Sequence, residues 1–137
     1  MELMHWDEKY CVGLREIDDE HRSLIKSINE LHTAIEARMD REEIKGFFAK
    51  VEREIGAHFD HEERLMREYD YQAYEEHRAD HQRLLEDIED IAKDFADGVF
   101  DYDPDKALGR RLADWFMDHV RKHDAPMCKF LSQGTAA

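Results

Sequence analysis

At 137 residues, the chain is long enough for one domain with a sizeable core. With 39% charged residues, 42% hydrophobic residues, six glycines and two prolines, it is composed for long helices with solvated outer faces rather than a turn-rich sheet. A net charge of −14 excludes nucleic acid and anionic membrane surfaces as partners. No apolar run approaches spanning length, and the start MELMHWDEKY lacks a basic segment followed by an apolar stretch. A soluble, cytoplasmic protein with no stable membrane insertion is therefore expected. Cys11 and Cys128 are too few for a disulfide framework, which fits a reducing compartment.

In chain order, residues 1–16 carry Trp6, Tyr10, Val12 and Leu14 without helical spacing and read as an arm packed on the helices. The first helix, about 18–38, has the seam Ile17, His21, Leu24, Ile28, Leu31, Ile35. The second, about 41–67, starts at a capping box of Asp40 and Glu43. Its seam is Ile44, Phe48, Val51, Ile55, His58, Glu62, Leu65, Tyr69, in unbroken alternating steps of four and three. The third, about 72–97, has His77, His81, Leu84, Ile88, Ile91 and Phe95 and stops at Gly98. The fourth, about 104–124, opens with Asp103 as N-cap and Pro104 at its first position, carries Leu108, Leu112, Trp115 and His119, and ends before Pro126. Residues 132–137 read as a frayed tail. The whole is expected to be one all-α domain, an up-down-up-down antiparallel four-helix bundle with an N-terminal arm.

Every helix places histidine in its seam. A lone core histidine is more often hydrogen-bonded structure than a ligand, so the test is whether these positions meet. In antiparallel neighbours, two residues at one level are equidistant from the connecting turn. The midpoint of His21 and His58 falls at Met39-Asp40. That of the His58/Glu62 and His77/His81 pairs falls at the YDY turn, and that of His77/His81 and His119/Asp124 falls inside GVFDYD. All three are independently expected turns, so four helices bring their polar seam residues to one level. A buried carboxylate in such a seam needs something to neutralise it.

The converging set is His21, His58, Glu62, His77, His81, His119 and Asp124. Five imidazoles and two carboxylates exceed the needs of one tetrahedral zinc, and the nitrogens speak against calcium and magnesium. Seven ligands suit two six-coordinate-capable ions with both carboxylates bridging and one position open. Iron suits the donor types, with manganese, zinc and cobalt open on ligand type alone. The Glu-x-x-His pairs of ferritin-like di-iron enzymes are missing. HRADH has the histidine spacing of a zincin, but Arg78 stands where its catalytic glutamate would be.

These residues resemble those of hemerythrin-like proteins, most of all the single-domain bacteriohemerythrins, over nearly the full length. The resemblance is carried by Trp6, VGLREIDDEHRSL, HFDHEERLM, HRADHQRLL and WFMDHVRKHD, with the spacings His-x3-Glu, His-x3-His and His-x4-Asp. It implies that His77, His81 and His119 hold one iron (Fe2+/Fe3+) and His21 and His58 the other. Glu62 and Asp124 would bridge them beside an oxo or hydroxo group. It also implies that dioxygen binds reversibly at the two-histidine iron. The expected oxygen pocket is Leu24, Ile28, Ile55, Trp115 and Phe116, with Leu84 also near the site. Phe116 stands where the family usually has leucine.

No further acid or base is clearly placed in the seam, and a dry pocket without a proton donor favours reversible binding over turnover. The expected function is oxygen storage, delivery or sensing by a monomer, with an oxygen-consuming enzyme as candidate recipient. The competing readings are a di-iron enzyme reducing peroxide, nitric oxide or dioxygen, and a metal-free helical interaction module. His61 is expected on the surface or just behind the ligands. His5 and His32 are expected to be surface or capping residues, His123 to be exposed, Met39 and Met66 to be end packing, and Cys128 an inert thiol.

Overall fold

The computed structural model describes residues 14–98, 114 and 116–135, which form helices and no strands. α1 is Arg15–Glu36, α2 is Arg41–Glu68 and α3 is Tyr74–Ala96. α4 is described from residue 116: α-helical to 119, π-helical over Val120–Asp124, and α-helical again over Ala125–Thr135. The expected arm segment 1–13, the start of the fourth helix at Asp103-Pro104, and Leu108, Leu112 and Trp115 lie outside the described residues. No helix among the described residues is long and apolar enough to cross a membrane.

The helix ends follow from local chemistry. Asp40 caps α2 by accepting from the Glu42 N–H at 3.2 Å. At the end of α1 the Arg38 N–H bonds to Ile35 O and the Met39 N–H to Ala34 O, a Schellman arrangement that puts Arg38 at φ 54. The end of α2 repeats it with Asp70 at φ 50. α3 ends with Gly98 at φ 79, where glycine meets no steric penalty. The Arg41 guanidinium at the start of α2 donates to Phe95 O at 3.2 Å, tying two helix ends together.

Five expectations are corrected. α1 begins at Arg15, so residues 15 and 16 belong to the helix and not to the arm; the acidic Glu16 and Asp18 suit its positive N-terminal end. α3 begins at Tyr74, after turn residues 72–73. The α2 seam does not run on through Leu65 and Tyr69: Met66 is fully buried, Leu65 partly, and Tyr69 is 39% exposed. A straight helix drifts about 20° per heptad against a seven-residue repeat, enough to move the seam over this length. Finally, Pro126 does not end the fourth helix. The turn before it is already π, with the Ala125 N–H bonded to Val120 O, so the proline falls in the first turn of a restarted α ladder, where it is tolerated. Residues 132–135 are accordingly helical rather than frayed.

Two apolar clusters result. The larger runs from Leu24 to Ile35 on α1, Ile44 to Phe59 on α2 and Leu84 to Phe95 on α3, with Phe116 and Val120 of α4. The smaller gathers Ile17, Met66, Met127, Cys128 and Leu131. Between them, at the level of residues 21, 58–62, 77–81 and 119–124, lies a layer of buried polar side chains.

Candidate metal centre

All seven residues singled out from the sequence are buried in this layer. His21, Glu62, His81 and Asp124 are wholly inaccessible, His77 nearly so, and His58 and His119 each 4% exposed. They fall into two overlapping groups whose potential ligand atoms lie within 4.8 Å of one another. Glu62, His77, His81, His119 and Asp124 form one, and His21, His58, Glu62 and Asp124 form the other. Both carboxylates belong to both groups.

Their oxygens are divided in the same way. Asp124 turns Oδ1 to Nε2 of His77 (2.9 Å) and His119 (3.0 Å), and Oδ2 to Nε2 of His21 (3.0 Å). Glu62 turns Oε1 to Nε2 of His81 (2.9 Å) and His77 (3.5 Å), and Oε2 towards Nε2 of His58 (3.3 Å). Each carboxylate therefore presents one oxygen to a three-histidine side and the other to a two-histidine side. His58 Nε2 and Glu62 Oε2, though close, are not aligned as a hydrogen bond and have no partner among the described residues. Buried orphan atoms of this kind mark a place shaped for something else.

The π-turn positions Asp124. In a regular α-helix a residue five beyond His119 lies about 140° around the axis. The wider turn over Val120–Asp124 brings it back beside His119. It also overturns the expectation for His123, which is partly buried: its ring lies 5.3 Å from those of His77 and His119, and Nε2 is 3.5 Å from Asp80. His32, expected at the surface, is buried as well, at 7% exposure.

Behind the ring of Nε2 atoms stand carboxylates that the seam pattern does not reveal. Nδ1 of His58 donates to Glu20 (2.5 Å), Nδ1 of His81 to Glu63 (2.9 Å) and Nδ1 of His119 to Asp80 (2.7 Å). Such bonds fix the tautomer that leaves Nε2 free for a metal and raise its basicity. Glu20 is shared with Nδ1 of His61 at 2.5 Å, which puts His61 one step behind the ligand set. Phe59 lies flat on the His81 ring, with centroids 3.8 Å apart. The signal for these residues is adjacency: Glu20 precedes His21, Glu63 follows Glu62, Asp80 precedes His81 and Phe59 follows His58.

Without cations, protons neutralise the layer. Burial by itself would lower the His58 and His119 pKa values. The charges of Glu62 and Asp124, with the hydrogen bonds that the two rings donate to Glu20 and Asp80, instead raise them to about 10 and about 11. Burial opposes ionisation of Glu62 and Asp124, yet the surrounding imidazoles hold both well below the usual carboxylate range. Burial also pushes the Cys128 thiol up, so it stays protonated and inert.

The expected oxygen pocket is placed as follows. Leu24, Ile28, Ile55 and Phe116 are buried in the larger apolar cluster, and the Phe116 ring meets His21 edge-on with centroids 5.5 Å apart. Trp115 lies outside the described residues.

A model of the hemerythrin HHE cation-binding domain matches residues 12–130. The bacteriohemerythrin of Stenotrophomonas maltophilia is 28% identical over 124 residues, covering 90% of this chain and 78% of that one. The bacteriohemerythrin of Methylococcus capsulatus is 28% identical over 125 residues, covering 90% and 93%. A crystal structure of wild-type hemerythrin superposes with a TM-score of 0.83 at 27% identity, covering 95% of this chain and 98% of that one.

Proposed function

The chain belongs to the hemerythrin family, whose members are oxygen-binding proteins rather than enzymes, and from that premise we propose that it binds dioxygen reversibly at a non-haem di-iron centre. The observation that carries this reading is the division of the Glu62 and Asp124 oxygens between two histidine groups. On this reading His77, His81 and His119 would hold one iron and His21 and His58 the other, with Glu62 and Asp124 shared between them. The donor set fits: five imidazole nitrogens and two bridging carboxylates suit a pair of six-coordinate-capable ions, and the orphan His58 Nε2 and Glu62 Oε2 gain a partner. When bound, the pair of irons supplies the two electrons that dioxygen takes up and returns.

The protein's own part is placement and exclusion. Three histidines on one side and two on the other leave the vacancy beside His21 and His58. There Leu24, Ile28, Ile55 and Phe116 keep water and protons away. Glu20, Glu63 and Asp80 hold three rings in the metal-facing tautomer.

The four helices are read as running up-down-up-down. Glu20–His58, Ser27–Glu54 and Glu30–Lys50 step from opposite directions towards the first turn. Glu63–His81 and Arg41–Phe95 do so for the second pair of helices. The physiological role is storage, delivery to an oxygen-consuming enzyme, or sensing, by a cytoplasmic monomer. The deciding experiment counts iron per chain and records the optical spectrum of the reduced protein before and after oxygen. Two irons and a stable adduct lost again under vacuum are expected. Rapid conversion of oxygen to water would make the protein an enzyme, and negligible metal would leave only a helical interaction module.

A further inference from the structure

A recess of about 240 Å³ opens between α1 and α2, lined by Glu20, Ser23, Leu24, Glu54, Ala57 and His58. Ser23 and Ala57 are exposed at its mouth, Glu20 and Glu54 stand half-buried on its walls, and the buried Leu24 and His58 close its floor. The floor is thus the outer side of the residues that border the two-histidine vacancy, and Leu24 belongs to both. The walls carry two carboxylates. Glu20 is compensated by the imidazoles of His58 and His61. Glu54 accepts from the Ser27 hydroxyl at 2.6 Å, a neutral donor that orients the carboxylate and leaves its charge in place.

Resting on the di-iron reading above, we infer that this recess is the entrance to the vacant position and that the Glu54 carboxylate makes it selective, admitting neutral diatomic molecules and retarding small anions. A neutral molecule crossing the mouth meets the Leu24 side chain and the His58 ring and no net electrostatic barrier. An anion must pass a fixed negative charge at short range, on a chain that is already strongly acidic. Glu54 lies outside the ligand set and outside the hydrogen bonds that hold it, so its effect is on arrival and not on the iron.

The test uses the iron-loaded full chain and two variants. Glu54→Gln removes the charge and keeps the shape and the acceptor for Ser27. Ala57→Phe narrows the mouth with a side chain on the exposed rim. Azide binding to the oxidised protein and nitric oxide binding to the reduced protein are followed by stopped flow at low and high salt. Glu54→Gln should speed azide roughly two- to fourfold at low ionic strength, with the gain vanishing near 1 M salt, and leave nitric oxide unchanged. Ala57→Phe should slow both ligands about tenfold at unchanged iron content. Unaltered rates in both variants, with iron bound, would place the entrance elsewhere. Slowing by Ala57→Phe with no azide effect in Glu54→Gln would overturn the charge selection. Failure of the parent chain to take up iron would instead sink the di-iron reading, and this inference with it.

Discussion

The two sides of the polar layer are built to different standards of completeness. On the three-histidine side, His77 Nδ1 has no partner among the described residues, but His81 and His119 each have a carboxylate at Nδ1, Phe59 lies flat on one ring, His123 stacks on another, and Asp80 is itself held by Arg83 at 2.6 Å. On the two-histidine side only His58 has such a carboxylate, His21 Nδ1 has no partner among the described residues, and the neighbours are Phe116 and Leu24. The lesson is a division of labour. On the di-iron reading, the side with two braced rings would serve to retain a cation, while the side bordered by Phe116 and Leu24 would receive the visiting molecule.

The harshest way to break the comparison is to remove what both sides share. Glu62→Ala should abolish binding of both irons, because one change deletes a ligand from each group. His61→Ala should keep most of the iron, since among the described residues its ion pairs are with Glu20 and Glu16, neither of them in the ligand set. Equal iron loss in the two variants, measured by elemental analysis, would contradict the shared role of Glu62.

Removing the metal from the intact chain comes next. The metal-free protein should melt well below the iron-loaded one, and its stability should depend on pH in a stated direction. His58 and His119 have pKa values of about 10 and about 11 in the folded chain, above the ordinary value of 6.5. Their contribution is full below about pH 6.5 and is lost as pH rises through 10 and 11. Glu62 and Asp124 act oppositely, losing theirs only as pH falls below about 4. Calorimetry should therefore show the metal-free melting temperature falling from pH 7 to pH 10. A rise over that interval, or equal melting temperatures with and without iron at pH 7, would be incompatible with this balance.

A milder change sharpens the contrast between the sides. Asp80→Ala should hasten iron loss to a chelator by about tenfold, by freeing the His119 ring on the side built for retention. Phe116→Leu should leave iron content unchanged. It should speed azide binding a few-fold and shorten the life of the oxygenated spectrum, because a smaller side chain beside His21 widens the apolar side. If neither rate moves, Phe116 does not line the vacancy. The smallest effect lies away from the site. Arg38→Gly at the end of α1 relieves a left-handed backbone and should raise stability by about 0.5–1 kcal/mol in denaturant melts.

What is legible in the sequence is whatever obeys helical periodicity. The seams of α1 and α3 are buried as their spacing requires, and the midpoints of histidine pairs locate the polar layer because short turns fix the level of neighbouring residues. Departures from that rhythm stay hidden. His123 and Pro126 escape a sequence reading that assumes α geometry across Val120–Asp124, where the backbone widens. His32 shows the limit of polarity as a guide, since a histidine off the seam is still buried. Glu20, Glu63 and Asp80 look like solvated charge beside the motifs. Their adjacency to ligand residues is the one hint in the sequence, and it is the direction of each imidazole Nδ1 in the structure that gives them a role.

The widened turn of α4 amounts to a phase slip. Above it His119 keeps the rhythm of one seam, and below it Asp124, Cys128 and Leu131 keep the rhythm of another, displaced by one residue. A pattern that counts heptads straight through this helix therefore loses its place at residue 120 and assigns Asp124 to the surface. Conversely, a His-x4-Asp pair whose two members both belong to one buried layer is itself a written sign of the slip, and it can be searched for in bundles whose structures are unknown.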